Sequence, residues 1–66
     1  MDFLEKARMR MEHWIAHNQE HQNAYQEFAD QLEAAGKTES ADSIREMSNL
    51  VSKSNQYLKK ALQGLE

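Results

Sequence analysis

Three histidines stand four residues apart in one short stretch, Glu12-His13-Trp14-Ile15-Ala16-His17-Asn18-Gln19-Glu20-His21. On a helix, side chains four apart lie above one another on nearly one face. The spacing therefore predicts a histidine ladder, with Trp14 and Asn18 on the same general side. Histidine is the commonest metal ligand, and an i, i+4 pair can share one ion. His13 with His17, or His17 with His21, fits that requirement. All three cannot reach one ion from one helix, because His13 and His21 lie roughly 12 Å apart along the axis. Glu20 and Glu12 are the nearest further oxygen ligands. The expected donor set is His13, His17, His21 and Glu20, a nitrogen and oxygen set without thiolate that suits Ni²⁺, Zn²⁺ or Cu²⁺. The same residues allow a plainer reading. His21 would be a core histidine bonded to Ser54 or Asn55, with His13 and His17 solvated beside Trp14 and Glu20.

Two catalytic motifs are approached and neither is completed. His17-Asn18-Gln19-Glu20-His21 has the H-x-x-E-H order of inverted zinc peptidases, but such enzymes need a third protein ligand and a cleft in a much larger fold. Gly36-Lys37-Thr38 invites comparison with a phosphate-binding loop, which requires a glycine where this chain has Gln31 and a strand before it. No serine or lysine sits in an arguable nucleophilic arrangement. The expectation is a protein that is not an enzyme.

The elements that must position the ladder are helices. The chain has 66 residues, no cysteine, no proline, and glycine only at Gly36 and Gly64. That scarcity of breakers reads as all-α. Residues 2–35 carry a heptad pattern: Leu4, Met11, Asn18, Tyr25 and Leu32 recur every seven, and Ala7, Trp14, His21, Phe28 and Ala35 are expected to fill the alternate seam positions. Ile15 and Ala29 widen the apolar stripe on one side. Asp2 is expected to cap this helix, Gly36 to end it, and Thr38 to cap the next. Residues 38–64 form the second helix, with Ile44, Val51, Leu58 and Leu65 accompanied by Ala41, Ser48, Asn55 and Leu62. A turn over 36–38 folds the two antiparallel. That register sets Asn18 against Asn55, with His21 in the same polar layer.

Size and charge bound the function classes. At this length a core rarely supplies more than about 3–5 kcal/mol, so small folds usually carry a staple. Without cysteine, the staple is a metal or an oligomer. Phe3 and Leu4 overhang the shorter second helix, and Met47, Leu50 and Tyr57 widen its apolar face beyond what one neighbour covers. We therefore expect a homodimer of hairpins forming a four-helix bundle. A net charge of −3 argues against nucleic acid, whose binding needs a basic face. No apolar run approaches a membrane span. The first residues lack the basic flank and apolar core of a signal peptide, so the expected compartment is the cytoplasm.

The segment from His13-Trp14 through His17-Asn18 to His21, with Tyr25 and the later Ser54-Asn55 and Lys60-Ala61-Leu62, resembles a small helical family of anaerobic bacteria and archaea. Its pattern is roughly H-W-x-x-H-N-x-x-H, then a helix containing A-N and ending in K-A-L. That domain occurs alone or behind the small nickel-binding accessory protein CooT, which is linked to carbon monoxide dehydrogenase maturation. Ser54 stands where the pattern has alanine, and CooT's own nickel-binding part has no counterpart here. The resemblance implies nickel or other metal homeostasis through His13, His17 and His21, and a metalloenzyme-maturation partner. The leading expectation is thus a small metal-associated protein binding Ni²⁺ or Zn²⁺. The rival is a helical interaction or dimerisation module whose histidines are structural.

Overall fold

A computed structural model describes residues 2–66. Among them there are two helices and no strand: α1, Phe3–Ala34, and α2, Thr38–Gln63, packed antiparallel as a hairpin. Asp2 caps α1 as expected, its Oδ1 accepting from the Glu5 backbone N–H at 2.8 Å. At the other end the chain stops itself with glycine. Gly36 takes a φ of 82°, where a Cβ would be strained. The Lys37 N–H then donates to the Leu32 carbonyl and the Gly36 N–H to that of Glu33, both at 2.9 Å. These two bonds satisfy carbonyls that the helix end leaves open.

Thr38 does not cap α2. Lys37 occupies that position with no side-chain bond, and its carbonyl accepts from the Ala41 N–H at 2.9 Å. The closure of the preceding turn already uses the Lys37 N–H, so the second helix starts one residue earlier than threonine's side chain would choose. Glu39 still complements the positive end of the helix dipole in the first turn.

The seam departs from the expected one on α1 only. Met11, Asn18, Tyr25 and Leu32 are at least half-buried, but their companions are Ile15, Gln22 and Ala29, each one residue later than Trp14, His21 and Phe28. Those three are exposed, Trp14 by 49% and Phe28 by 50%. On α2 the expected set holds, with Ala41, Ser48 and Asn55 buried and Ile44, Val51, Leu58, Leu62 and Leu65 half-buried. Polar bonds pin this rotation. Asn18 Nδ2 donates to Asn55 Oδ1 at 2.8 Å, and Asn55 Nδ2 donates to the Ile15 carbonyl at 3.1 Å. One turn further, Gln22 Nε2 donates to the Ser48 carbonyl at 3.1 Å. The Asn18–Asn55 contact is thus the one the register required. His21 is absent from that layer; Gln22, the residue after it, turns inward instead.

Stepping seven residues along each helix from Ile15–Asn55 gives Gln22–Ser48 and then Ala29–Ala41. Both alanines are fully buried. Small residues at the level next to the turn let the helices approach closely, which a Phe28-centred seam would prevent. The core is correspondingly thin. Ala29 and Ala41 are the buried apolar residues, Ser48 and Asn55 the buried polar ones, and among the described residues no large side chain is fully buried. Ser48 Oγ is buried without a hydrogen-bond partner.

Candidate functional site

Antiparallel packing sorts the flanks of the two helices. Residues that directly follow a seam residue fall on one side of the hairpin, and residues that directly precede one fall on the other, because both helices are right-handed and run in opposite directions. The following side is polar apart from the exposed Met9 and Ala16. Arg45, after Ile44, reaches Glu33 Oε1 at 2.8 Å and Asp30 Oδ1 at 3.0 Å, which follow Leu32 and Ala29. Hydrogen bonds to Glu33 and then Asp30 raise the Arg45 pKa above its ordinary value. These pairs are exposed, so they orient the helices without adding much stability.

The preceding side is apolar. Phe3, Trp14, Phe28, Met47, Leu50 and Tyr57 each stand directly before a seam position, and each is exposed, Phe3 by 77%, Tyr57 by 68% and Leu50 by 62%. Arg10 is the one formally charged residue among all the positions of that kind along both helices. A shallow groove at one end is lined by Phe3, Ala7, Met11 and Trp14, with Lys6 and Arg10 at its margins. Grouped exposure of this kind marks an interaction surface, whereas isolated exposed apolar residues do not. The hydropathy pattern signalled part of this surface in advance through Met47, Leu50 and Tyr57. Trp14 and Phe28 lie outside the seam that their size favours, so hydrophobicity alone does not place them on this surface.

The histidine ladder lies along this face. His17 precedes Asn18 and His21 precedes Gln22, so both belong to the apolar side, and both are exposed. Their Nε2 atoms are 2.8 Å apart, one ring donating to the other's lone pair. The His17 and His21 rings meet edge to face with centroids 4.4 Å apart, and His21 stacks on Tyr25 at 5.7 Å. His13 is further off, its ring 5.9 Å from that of His17, and no hydrogen bond joins them among the described residues. Glu20 is exposed, directly before His21 on the outward side of α1, and it bonds to neither ring. The structure therefore brings His17 and His21 together and leaves His13 and Glu20 outside the pair. Among the described residues, no three His, Asp or Glu side chains are grouped so that they could hold a metal ion. Asn55 bonds to Asn18 and to the Ile15 carbonyl in the seam, while His21 lies on the exposed flank. Among the described residues, no helix is long and apolar enough to cross a membrane.

Residues 7–65 match a family described as a domain of unknown function (DUF8180). No curated protein and no solved structure gives a significant match.

Proposed function

The chain belongs to the DUF8180 family, and we propose that it works as a helical interaction module that pairs with a second copy of itself into a four-helix bundle. One observation carries this reading. Among the described residues, six large apolar side chains line one side of a hairpin whose own seam fully buries none of that size. A two-helix hairpin has a single interface to offset the ordering entropy of 66 residues, so it gains most of its stability from a further helix layer.

The available area supports a second copy as the occupant. Exposed surface on Phe3, Trp14, Phe28, Met47, Leu50 and Tyr57 comes to on the order of 800 Å² per copy, the share one partner brings to a standard-size interface. The face also carries almost no charge, so two copies bring no like-charge repulsion together beyond Arg10. The opposite side, with Asp30, Glu33, Asp42 and Arg45 exposed or half-exposed, keeps the outside of the bundle soluble. The module needs no catalytic group. Among the described residues of one copy, His17 and His21 pair without a third metal-ligating side chain, so this reading does not depend on a metal.

Sedimentation equilibrium of the metal-free protein tests the proposal. The expected result at micromolar concentration is a single species of twice the 7.7 kDa chain mass, with a melting temperature that rises with protein concentration. A helical species of 7.7 kDa whose melting is independent of concentration would sink the proposal.

A further inference from the structure

The exposed face also carries a pattern that favours one way for two copies to meet. We propose that they pair about a two-fold axis passing beside α1 at the level of Gln19, and that His17 and His21 of both copies then enclose a four-imidazole site for a divalent transition-metal ion. The inference rests on the dimer reading and adds a site to it.

The position of the axis follows from the fold. Gln19 lies next to the midpoint of α1, which runs from Phe3 to Ala34. An axis there, in the plane of the interface and perpendicular to the helices, lays each α1 antiparallel on the partner's α1. The Asn18–Asn55 register carries the same axis past α2 at the level of Ser54. Large residues then oppose small ones or complementary ones. Trp14 falls against the partner's Ala24, Met47 against the partner's Ala61, and Leu50 against the partner's Tyr57. Phe28 falls against the partner's Arg10, the one charge on this face, where a guanidinium can rest on the ring. The first turn of α1, which projects past the level of Gln63, is laid on the partner's hairpin turn. An axis parallel to the helices instead places α1 on the partner's α2 and leaves Phe3 and Leu4 of both copies uncovered. Under the chosen axis, His17 opposes the partner's His21, and the four rings meet at the centre.

The local geometry is that of half a metal site. Two nitrogens 2.8 Å apart, each at a metal–nitrogen distance of about 2.1 Å, subtend roughly 84° at the ion. That is close to the right angle between neighbouring positions of a square or tetragonal field. A tetrahedral ion would want the same atoms about 3.4 Å apart. Two such pairs related by a two-fold axis supply four equatorial nitrogens, the arrangement favoured by Cu²⁺ and Ni²⁺. In the metal-free pair one Nε2 carries the proton of the 2.8 Å bond. Binding requires both Nε2 lone pairs, so that proton moves to Nδ1 of the same ring and both imidazoles remain neutral.

The test is Cu²⁺ titration of the whole chain, read by native mass spectrometry and by the nitrogen hyperfine structure of the copper resonance. The expected result is one ion per two chains with four equatorial nitrogens. His17→Ala and His21→Ala should each weaken binding by more than the roughly 10–100-fold that an outer-shell partner contributes, while His13→Ala leaves it unchanged. One ion per chain with two nitrogens, or binding indifferent to His17→Ala and His21→Ala, overturns the site while the dimer stands. Sedimentation of the same samples without metal reads the dimer separately, and a monomer there overturns both. Each variant changes an exposed side chain, so folding is checked by its helical signal alone.

Discussion

Leu50→Glu is expected to convert the assembly to monomer and to remove most of its helical signal at micromolar concentration. Leu50 is 62% exposed in the single chain, so the substitution breaks no contact within the hairpin that a surface change would spare. Its effect comes through the proposed interface. A two-fold contact takes the new carboxylate out of water twice per dimer, and an unpaired buried charge costs several kcal/mol. With Ala29 and Ala41 as its buried apolar residues, the separated hairpin has little to hold it folded. Asn49→Glu is the control. Asn49 sits one residue before Leu50 on the polar side, next to Asp30 and Arg45, and the same charge there should leave both dimer and helicity intact. The comparison is made by circular dichroism and sedimentation at matched concentrations.

The second large effect belongs to the polar layer. Asn55 is 5% exposed and makes two bonds across the seam, accepting from Asn18 and donating to the Ile15 carbonyl. Asn55→Ala leaves the Asn18 amide facing a cavity without its partner, a loss of about 1–3 kcal/mol. For a domain of this size each kcal/mol shifts the melting temperature by about 4–8 °C, so a fall of that order or larger is expected. Replacing both amides, Asn18→Leu with Asn55→Leu, removes the unsatisfied groups together and should restore stability or exceed the starting value. What it should lose is the single register, seen as extra backbone resonances in a nitrogen-correlation spectrum. A double variant as unstable as Asn55→Ala would show that the amides act through something other than each other.

The two helices, the Asp2 cap, the glycine stop and the Asn18–Asn55 contact were all legible in the sequence. Each is set by local chemistry or by a seven-residue repeat. The rotation of α1 was not legible. Trp14 is larger than Ile15, Phe28 is larger and more apolar than Ala29, and His21 is no more polar than Gln22, so a reading by side-chain size puts Trp14, His21 and Phe28 inside. The fold prefers Gln22 because its amide reaches the Ser48 carbonyl, and Ala29 because the helices close tightly beside the turn. Neither reason can be seen from α1 alone; both depend on what α2 presents at the same level. The same half-step moved His21 out of the polar layer and onto the face with His17. The histidine spacing did foretell a close pair. It could not tell that His17 and His21, rather than His13 and His17, would make it, or that Glu20 would point away.

The pairing of two hairpins, α1 laid on α1, is tested most directly by distances between identical labels in the dimer. The chain has no cysteine, so one introduced cysteine carries one spin label per copy, and any dipolar coupling comes from the other copy. Glu20 and Lys6 are exposed residues on the outer side of α1, near the proposed axis and thirteen residues from Gln19 respectively. Labels at Glu20→Cys should lie roughly 20 Å apart, given interaxial spacings of about 8–10 Å and the reach of the labels. Labels at Lys6→Cys should lie roughly 40 Å apart, from twice their distance to the axis along the helix. Equal distances at the two positions, or no dipolar coupling at either, would contradict the account.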